Sequence, residues 1–175
     1  MARIWVTADE HYNHANILAY CDRPFKSMEA MNKAMHDNIA RLVAPDDVVY
    51  HVGDFAMYSG GYASMASGAW SMDRLLDMPG RHVFIFGNHD RGYTREPRLK
   101  EAILDAYGMR FRLLHHPAEA MPPLYNLTGH VHGAWECTRN DHGALCYNVG
   151  VDVHGFQPVL LQTVAKYFQK LQKKT

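Results

Sequence analysis

The sequence predicts one α/β domain over residues 1–175, with a chemical site gathered at one edge of its sheet. Three observations carry that expectation. β-rich apolar runs alternate with helical spacing in the first half, and the second half is mainly strand. No linker, repeat or low-complexity segment divides the 175 residues, which suffice for a substantial core. Short clusters of His, Asp and Asn follow most of the apolar runs, where open α/β sheets place their sites.

Residues 4–8 (IWVTA) form the first strand and deliver Asp9, Glu10 and His11 at its end. Met28, Met31, Met35, Ile39 and Leu42 recur at helical spacing, with Ser27 as N-cap, Glu29 in the first turn and Pro45 beyond the end. This methionine stripe is read as core packing. Residues 47–52 form the next strand, ending at Gly53-Asp54. The Gly-, Ser-, Ala- and Met-rich stretch 57–69 reads as a surface insertion beside the site. A short helix is expected over 70–78, stopped by Pro79-Gly80. Residues 82–86 read as a buried apolar strand feeding Gly87-Asn88-His89-Asp90. A further helix is expected from about residue 96, with Pro97 in its first turn and Gly108 as its stop. Strands over 111–114 and 124–128 lead to His115-His116 and Gly129-His130-Val131-His132. Strands over 144–149 and 158–161 follow, then a basic C-terminal helix whose lysines read as a solvated face.

Lys plus Arg and Asp plus Glu both number 18, so the net charge of +0 argues against a protein that grips extended nucleic acid. The 12 histidines are the anomaly, roughly three times an ordinary share. Cys21, Cys137 and Cys146 form no CxxC pair, which points to free thiols in a reducing compartment. The N-terminus reads as a strand rather than a signal peptide, and no apolar run suits a membrane helix. The expected location is the cytoplasm.

The clusters supply the donors of a two-metal hydrolytic site. Asp9 and His11, two apart, would point to one side of an extended chain and share an ion. Asp54 is a carboxylate able to bridge two cations, and Asn88 offers a neutral oxygen. His115, His130 and His132 add imidazoles. Oxygen and nitrogen donors without thiolate suit manganese, iron, zinc, cobalt or nickel, not a structural zinc site.

The run D-x-H, G-D, G-N-H-D, H and G-H-x-H from Asp9 to His132 resembles the calcineurin-like metallophosphoesterase superfamily, and a small bacterial and phage branch within it. The intervening Asn13-His14, Arg23-Pro24-Phe25 and Asn148-Val149-Gly150-Val151-Asp152 share that character. The resemblance implies a four-layer αββα sandwich of two mixed sheets flanked by helices. It implies that Asp9, His11 and His132 hold a first divalent ion, Asp54 bridges, and Asn88, His115 and His130 complete the second. His115 is preferred over His116 because related chains show histidine, an aromatic, then proline, and Pro117 sets that frame. His89 would face the scissile ester and Asp90 would orient it.

The implied reaction is phosphate-ester hydrolysis by a hydroxide that two metal ions, manganese foremost, make available. A small diester such as a cyclic or short nucleotide is preferred over a monoester, with phosphomonoesterase and nuclease as alternatives. Some proteins of this architecture, such as the retromer subunit, are scaffolds that lack the histidine of G-N-H, which this chain retains as His89. His14 and Arg23 could line the pocket or clamp phosphate, or serve as hydrogen-bonded and salt-bridged structure. His51 and His82 read as packed histidines. Substrate identity and oligomeric state do not follow from the sequence.

Overall fold

Alternation within strand β1 (Ile4–Thr7) sets the architecture, because Trp5 faces one core and Val6 the other. The structure, a computed structural model, describes residues 2–57, 69–90 and 99–173. After β1 come α1 (Ile17–Tyr20), α2 (Met28–Leu42), β2 (Val48–Val52), α3 (Met72–Leu76) and β3 (Arg81–Ile85). Then follow β4 (Glu101–Ala106), β5 (Met109–Leu114), β6 (Tyr125–Thr128), β7 (Cys137–Arg139), β8 (Leu145–Asn148), β9 (Val159–Leu160) and α4 (Leu161–Gln172).

Two mixed sheets result, flanked by helices. The first has order β3-β2-β1-β9, its three leading strands parallel and β9 antiparallel to β1. The second has order β4-β5-β6-β8-β7, with β5, β6 and β8 parallel and an antiparallel strand on each edge. Trp5 and Val49 pack on Met31, Met35 and Ile39 of α2. Val6, Val52 and Ile85 meet Phe111, Leu113, Leu127 and Tyr147 between the sheets, with Leu161, Val164 and Phe168 of α4.

Helix α2 has the expected residues: Ser27 Oγ accepts the Ala30 N–H at 3.1 Å, and Met28, Met31, Met35 and Ile39 are buried. Three expectations are corrected. The stretch read as helix from residue 96 is, over its described part, the strand β4. Tyr107 (φ 54°) and Gly108 (φ 73°) form a two-residue turn that pairs Ala106 with Met109, so the glycine read as a helix stop closes a hairpin. Strand β3 is an edge strand and largely half-buried, not a fully buried one. Residues 137–139, where no strand was expected, add the edge strand β7. The start of the expected helix at 96 and the insertion over 58–68 lie outside the described residues.

Cys21, Cys137 and Cys146 are free thiols. Among the described residues no helix is long and apolar enough to cross a membrane.

Candidate metal centre

Parallel strands of both sheets end on the same rim, and their carboxyl ends deliver the candidate donors. The backbone continues pairing beyond β1 and β2: Asp9 N–H donates to Gly53 O (3.0 Å), His11 N–H to Asp54 O (2.9 Å) and Tyr12 N–H to Phe55 O (2.9 Å). Gly129 N–H donates to His115 O at 3.1 Å, drawing the β6 loop beside the end of β5. Asp9 (φ 57°), His11 (φ 52°), Asp54 (φ 57°), His130 (φ 74°) and His132 (φ 48°) all take the left-handed backbone. The extended chain expected at Asp9 and His11 is therefore corrected. Each such residue costs of the order of 1–2 kcal/mol, a strain that the surrounding bonds must hold.

All seven sequence-predicted donors meet there. Asp54 Oδ2 lies 3.5 Å from His11 Nε2 and 3.3 Å from His115 Nε2, so one carboxylate stands between two groups of donors. On one side Asp9, His11 and His132 lie within reach of a common ion. On the other, Asn88 Oδ1 is 3.2 Å from His115 Nε2, and His130 packs its ring 5.3 Å from that of His115. His115 is the buried member of the histidine pair; His116 is half-buried and flanks His130 at 4.2 Å between rings, within the same donor group.

These residues fit divalent ions. His11 Nε2 is buried with no hydrogen-bond partner, an orphan beside a carboxylate. His115 donates Nδ1–H to Val52 O at 3.0 Å, and His132 donates Nδ1–H to Asp152 Oδ2 at 2.9 Å. Both thereby turn Nε2 to the centre, as a ligating histidine with a fixed tautomer does.

The electrostatics agree. Burial drives the His11 imidazole down to about 2, so it stays neutral. Burial also lifts the Asp9 carboxyl to about 6, partly offset by the charges of His115 and His132 and the His130 N–H. For Asp54 the burial penalty is outweighed by the hydrogen bond and charge of His115 and the His89 N–H, holding it below the usual carboxylate range. Burial opposes charge on His115 too, but the Asp54 bond and the charges of Asp9 and Asp54 lift it to about 9. A positive charge is what this nest of carboxylates favours.

Several supports were not visible in the sequence. Asp90, expected to orient His89, instead accepts the backbone N–H groups of Asp54 (2.8 Å), Phe55 (2.9 Å) and Gly87 (2.8 Å), fixing the loop that carries Asp54. His89 itself is exposed, with its N–H on Asp54 Oδ1 at 2.8 Å and its ring 5.2 Å from that of His11. Arg23 is no phosphate clamp: it is buried, forks onto Asp152 with two 2.8 Å bonds, and donates to Asp9 O (2.6 Å) and Glu10 O (2.9 Å). Gly87 is required by space, since a Cβ there would overlap Asp54 Oδ1.

Glu10 points away from the centre into a buried chain. Its Oε1 is 2.6 Å from His51 Nδ1, His51 Nε2 is 2.9 Å from His82 Nδ1, and His82 Nε2 is 3.1 Å from Pro79 O. The carbonyl can only accept, so each link in turn donates toward it and Glu10 must supply a proton to His51. Burial agrees, raising Glu10 to about 8 and lowering His51 to about 3 and His82 to about 4.

A cavity of about 400 Å³ opens beside Asn88 and His115, with His116, Lys100 and Glu119 on its walls.

Comparison with known proteins places these features. The uncharacterized protein MJ1445 of Methanocaldococcus jannaschii is 32% identical over 177 residues, spanning 97% of this chain and 93% of its own length. The gene 66 protein of Mycobacterium phage D29 is 36% identical over 108 residues, 57% of this chain and 47% of that protein. In fold, the chain is similar to the protein of unknown function AQ665 from Aquifex aeolicus, with a TM-score of 0.70 at 22% identity, covering 95% of this chain and 100% of that one. The model of the calcineurin-like phosphoesterase family matches residues 2–158. With that span and the donor-lined rim inside it, the chain belongs to the calcineurin-like phosphoesterases.

Proposed function

We propose that the protein is a metal-dependent hydrolase of small phosphate esters, taking diesters such as cyclic or short nucleotides in preference to monoesters. The observation that carries this reading is the Asp54 carboxylate, 3.5 Å from His11 Nε2 and 3.3 Å from His115 Nε2, with a histidine beside it free to meet a substrate. Asp9, His11, His132 and Asp54 would hold one ion; Asp54, Asn88, His115 and His130 would hold the other. Bound there, divalent ions supply Lewis acidity, which readies water for attack near neutral pH and offsets charge on the phosphoryl oxygens. Manganese is the ion we propose first, with iron, zinc, nickel and cobalt the alternatives that the same oxygen and nitrogen donor set accepts.

The chain's own part is positioning and proton supply. The Asp54 carboxylate accepts the His89 backbone N–H, and Asp90 fixes the loop that carries Asp54, so the exposed His89 imidazole stands at the mouth of the centre. Protonated, that ring donates to the departing oxygen. The net charge of +0 favours a small substrate over extended nucleic acid, and the three free thiols favour the cytoplasm.

The test is hydrolysis of bis(4-nitrophenyl) phosphate and 4-nitrophenyl phosphate with manganese, nickel, zinc or magnesium added. Metal-dependent release of nitrophenolate, faster from the diester, is expected. Bound metal with neither ester turned over would leave a metal-binding scaffold in place of an enzyme.

A further inference from the structure

Four large apolar side chains are exposed among the described residues, and one of them, Tyr20 at 73%, stands beside the metal centre. A lone exposed aromatic is ordinary, so the case rests on where it sits. Buried Ile17 anchors the single turn of α1, and Tyr20 N–H donates to Asn16 O at 3.0 Å. The Tyr20 ring packs near-perpendicular to His14, at 78° with centroids 6.2 Å apart, which leaves a ring face to solvent. His14 in turn lies 5.9 Å from the His89 ring and 5.2 Å from that of His11, with its Nδ1 3.1 Å from His11 Nδ1. Tyr20, His14 and His89 therefore form a continuous aromatic ledge leading out of the centre.

We propose that Tyr20 is a stacking surface for the nucleobase of a nucleotide ester whose phosphate lies at the centre. The inference rests on the phosphoesterase reading and deepens it by naming the substrate class. The spacing selects a nucleotide over a simple aryl ester. His14 stands between Tyr20 and His89, so a ring that reaches Tyr20 must be set off from phosphorus by a spacer, as the sugar of a nucleotide does. An aryl ring bonded directly to the ester oxygen stops short, at His14. Stacking of a base on an aromatic side chain is tolerant of base identity.

The experiment is equilibrium titration of the manganese-loaded protein, and of Tyr20→Ala and Tyr20→Phe, with adenosine 5′-monophosphate, ribose 5-phosphate and phenyl phosphate. Should a ligand be turned over, its KM takes the place of Kd. The wild-type protein should bind the nucleotide about 10-fold tighter than ribose 5-phosphate, the size of one base stack. Tyr20→Ala should lose that advantage and Tyr20→Phe keep it, while phenyl phosphate binds all three proteins alike. Equal binding of the two ribose ligands, an advantage that survives in Tyr20→Ala, or no binding of either overturns the proposal. Failure of the phosphoesterase reading shows separately, as absent nitrophenolate release, because the difference in binding requires no turnover.

Discussion

Asp152 accepts the Nδ1–H of His132 at 2.9 Å, and so decides which imidazole nitrogen faces the centre. The same carboxylate is gripped by Arg23, whose side chain is buried, and Arg23 also donates to the carbonyls of Asp9 and Glu10. Asp152→Ala should lower manganese affinity by about 10–100-fold, read by calorimetry, the usual cost of losing such a partner. It should also remove about 3–5 kcal/mol of stability by stranding the Arg23 charge. Asp152→Asn keeps an acceptor for His132 and should lose less affinity. Unchanged affinity in Asp152→Ala would mean that His132 does not depend on this bond.

Asp54 and His89 should separate metal binding from turnover. Asp54→Ala removes the carboxylate between the two donor groups and should abolish bound metal and hydrolysis together. His89→Ala should retain metal, measured by elemental analysis, yet lose about 10²–10⁴-fold in kcat. Full activity in that variant would take His89 out of the reaction.

Gly87→Ala tests how closely the loops are fitted. The added methyl meets Asp54 Oδ1, so the carboxylate must move or the loop must shift. A stability loss of about 1–3 kcal/mol is expected, with a clear fall in metal affinity although no donor has been deleted. Wild-type metal affinity in this variant would show that the loop tolerates the methyl without moving Asp54.

The Glu10–His51–His82 chain makes a signed prediction for the metal-free protein. The folded-state carboxyl of Glu10 is raised from 4.5 to about 8, so between those values the folded chain holds a proton that the unfolded chain lacks. Stability from this group is fully present below the unfolded value and is lost as pH rises through the folded one. The two histidines, lowered from 6.5 to about 3 and about 4, act oppositely, and their contribution is complete above 6.5. Between pH 6.5 and 8, with chelator present, the wild-type Tm should therefore fall relative to Glu10→Gln, whose amide donates without titrating. Parallel Tm curves for the two proteins would remove the proton from Glu10.

The sequence made the local parts of this molecule readable and hid the remote ones. Helix α2 was legible because Met28, Met31, Met35 and Ile39 share one face and Ser27 caps it. The candidate donors were legible because each follows a strand in short sequence range. Strand β4 was misread because Gly108 suits both a helix stop and a hairpin, and only pairing of Ala106 with Met109 decides between them. The work of Asp90 was hidden because its partners are backbone groups up to 36 positions away. Arg23 and Asp152, 129 positions apart, were equally beyond local pattern. The left-handed conformations at five donors were not read from the sequence, although Asp and His are among the non-glycine residues that enter this region most often.

Those five backbones bear on any attempt to harden the protein against heat. Glycine relaxes at such angles, so selection for melting temperature alone would drift toward glycine at positions 9, 11, 54, 130 and 132, each gain erasing one of the proposed donors. Engineering for robustness should therefore be steered to the outer faces of the helices, leaving the rim as strained as it is.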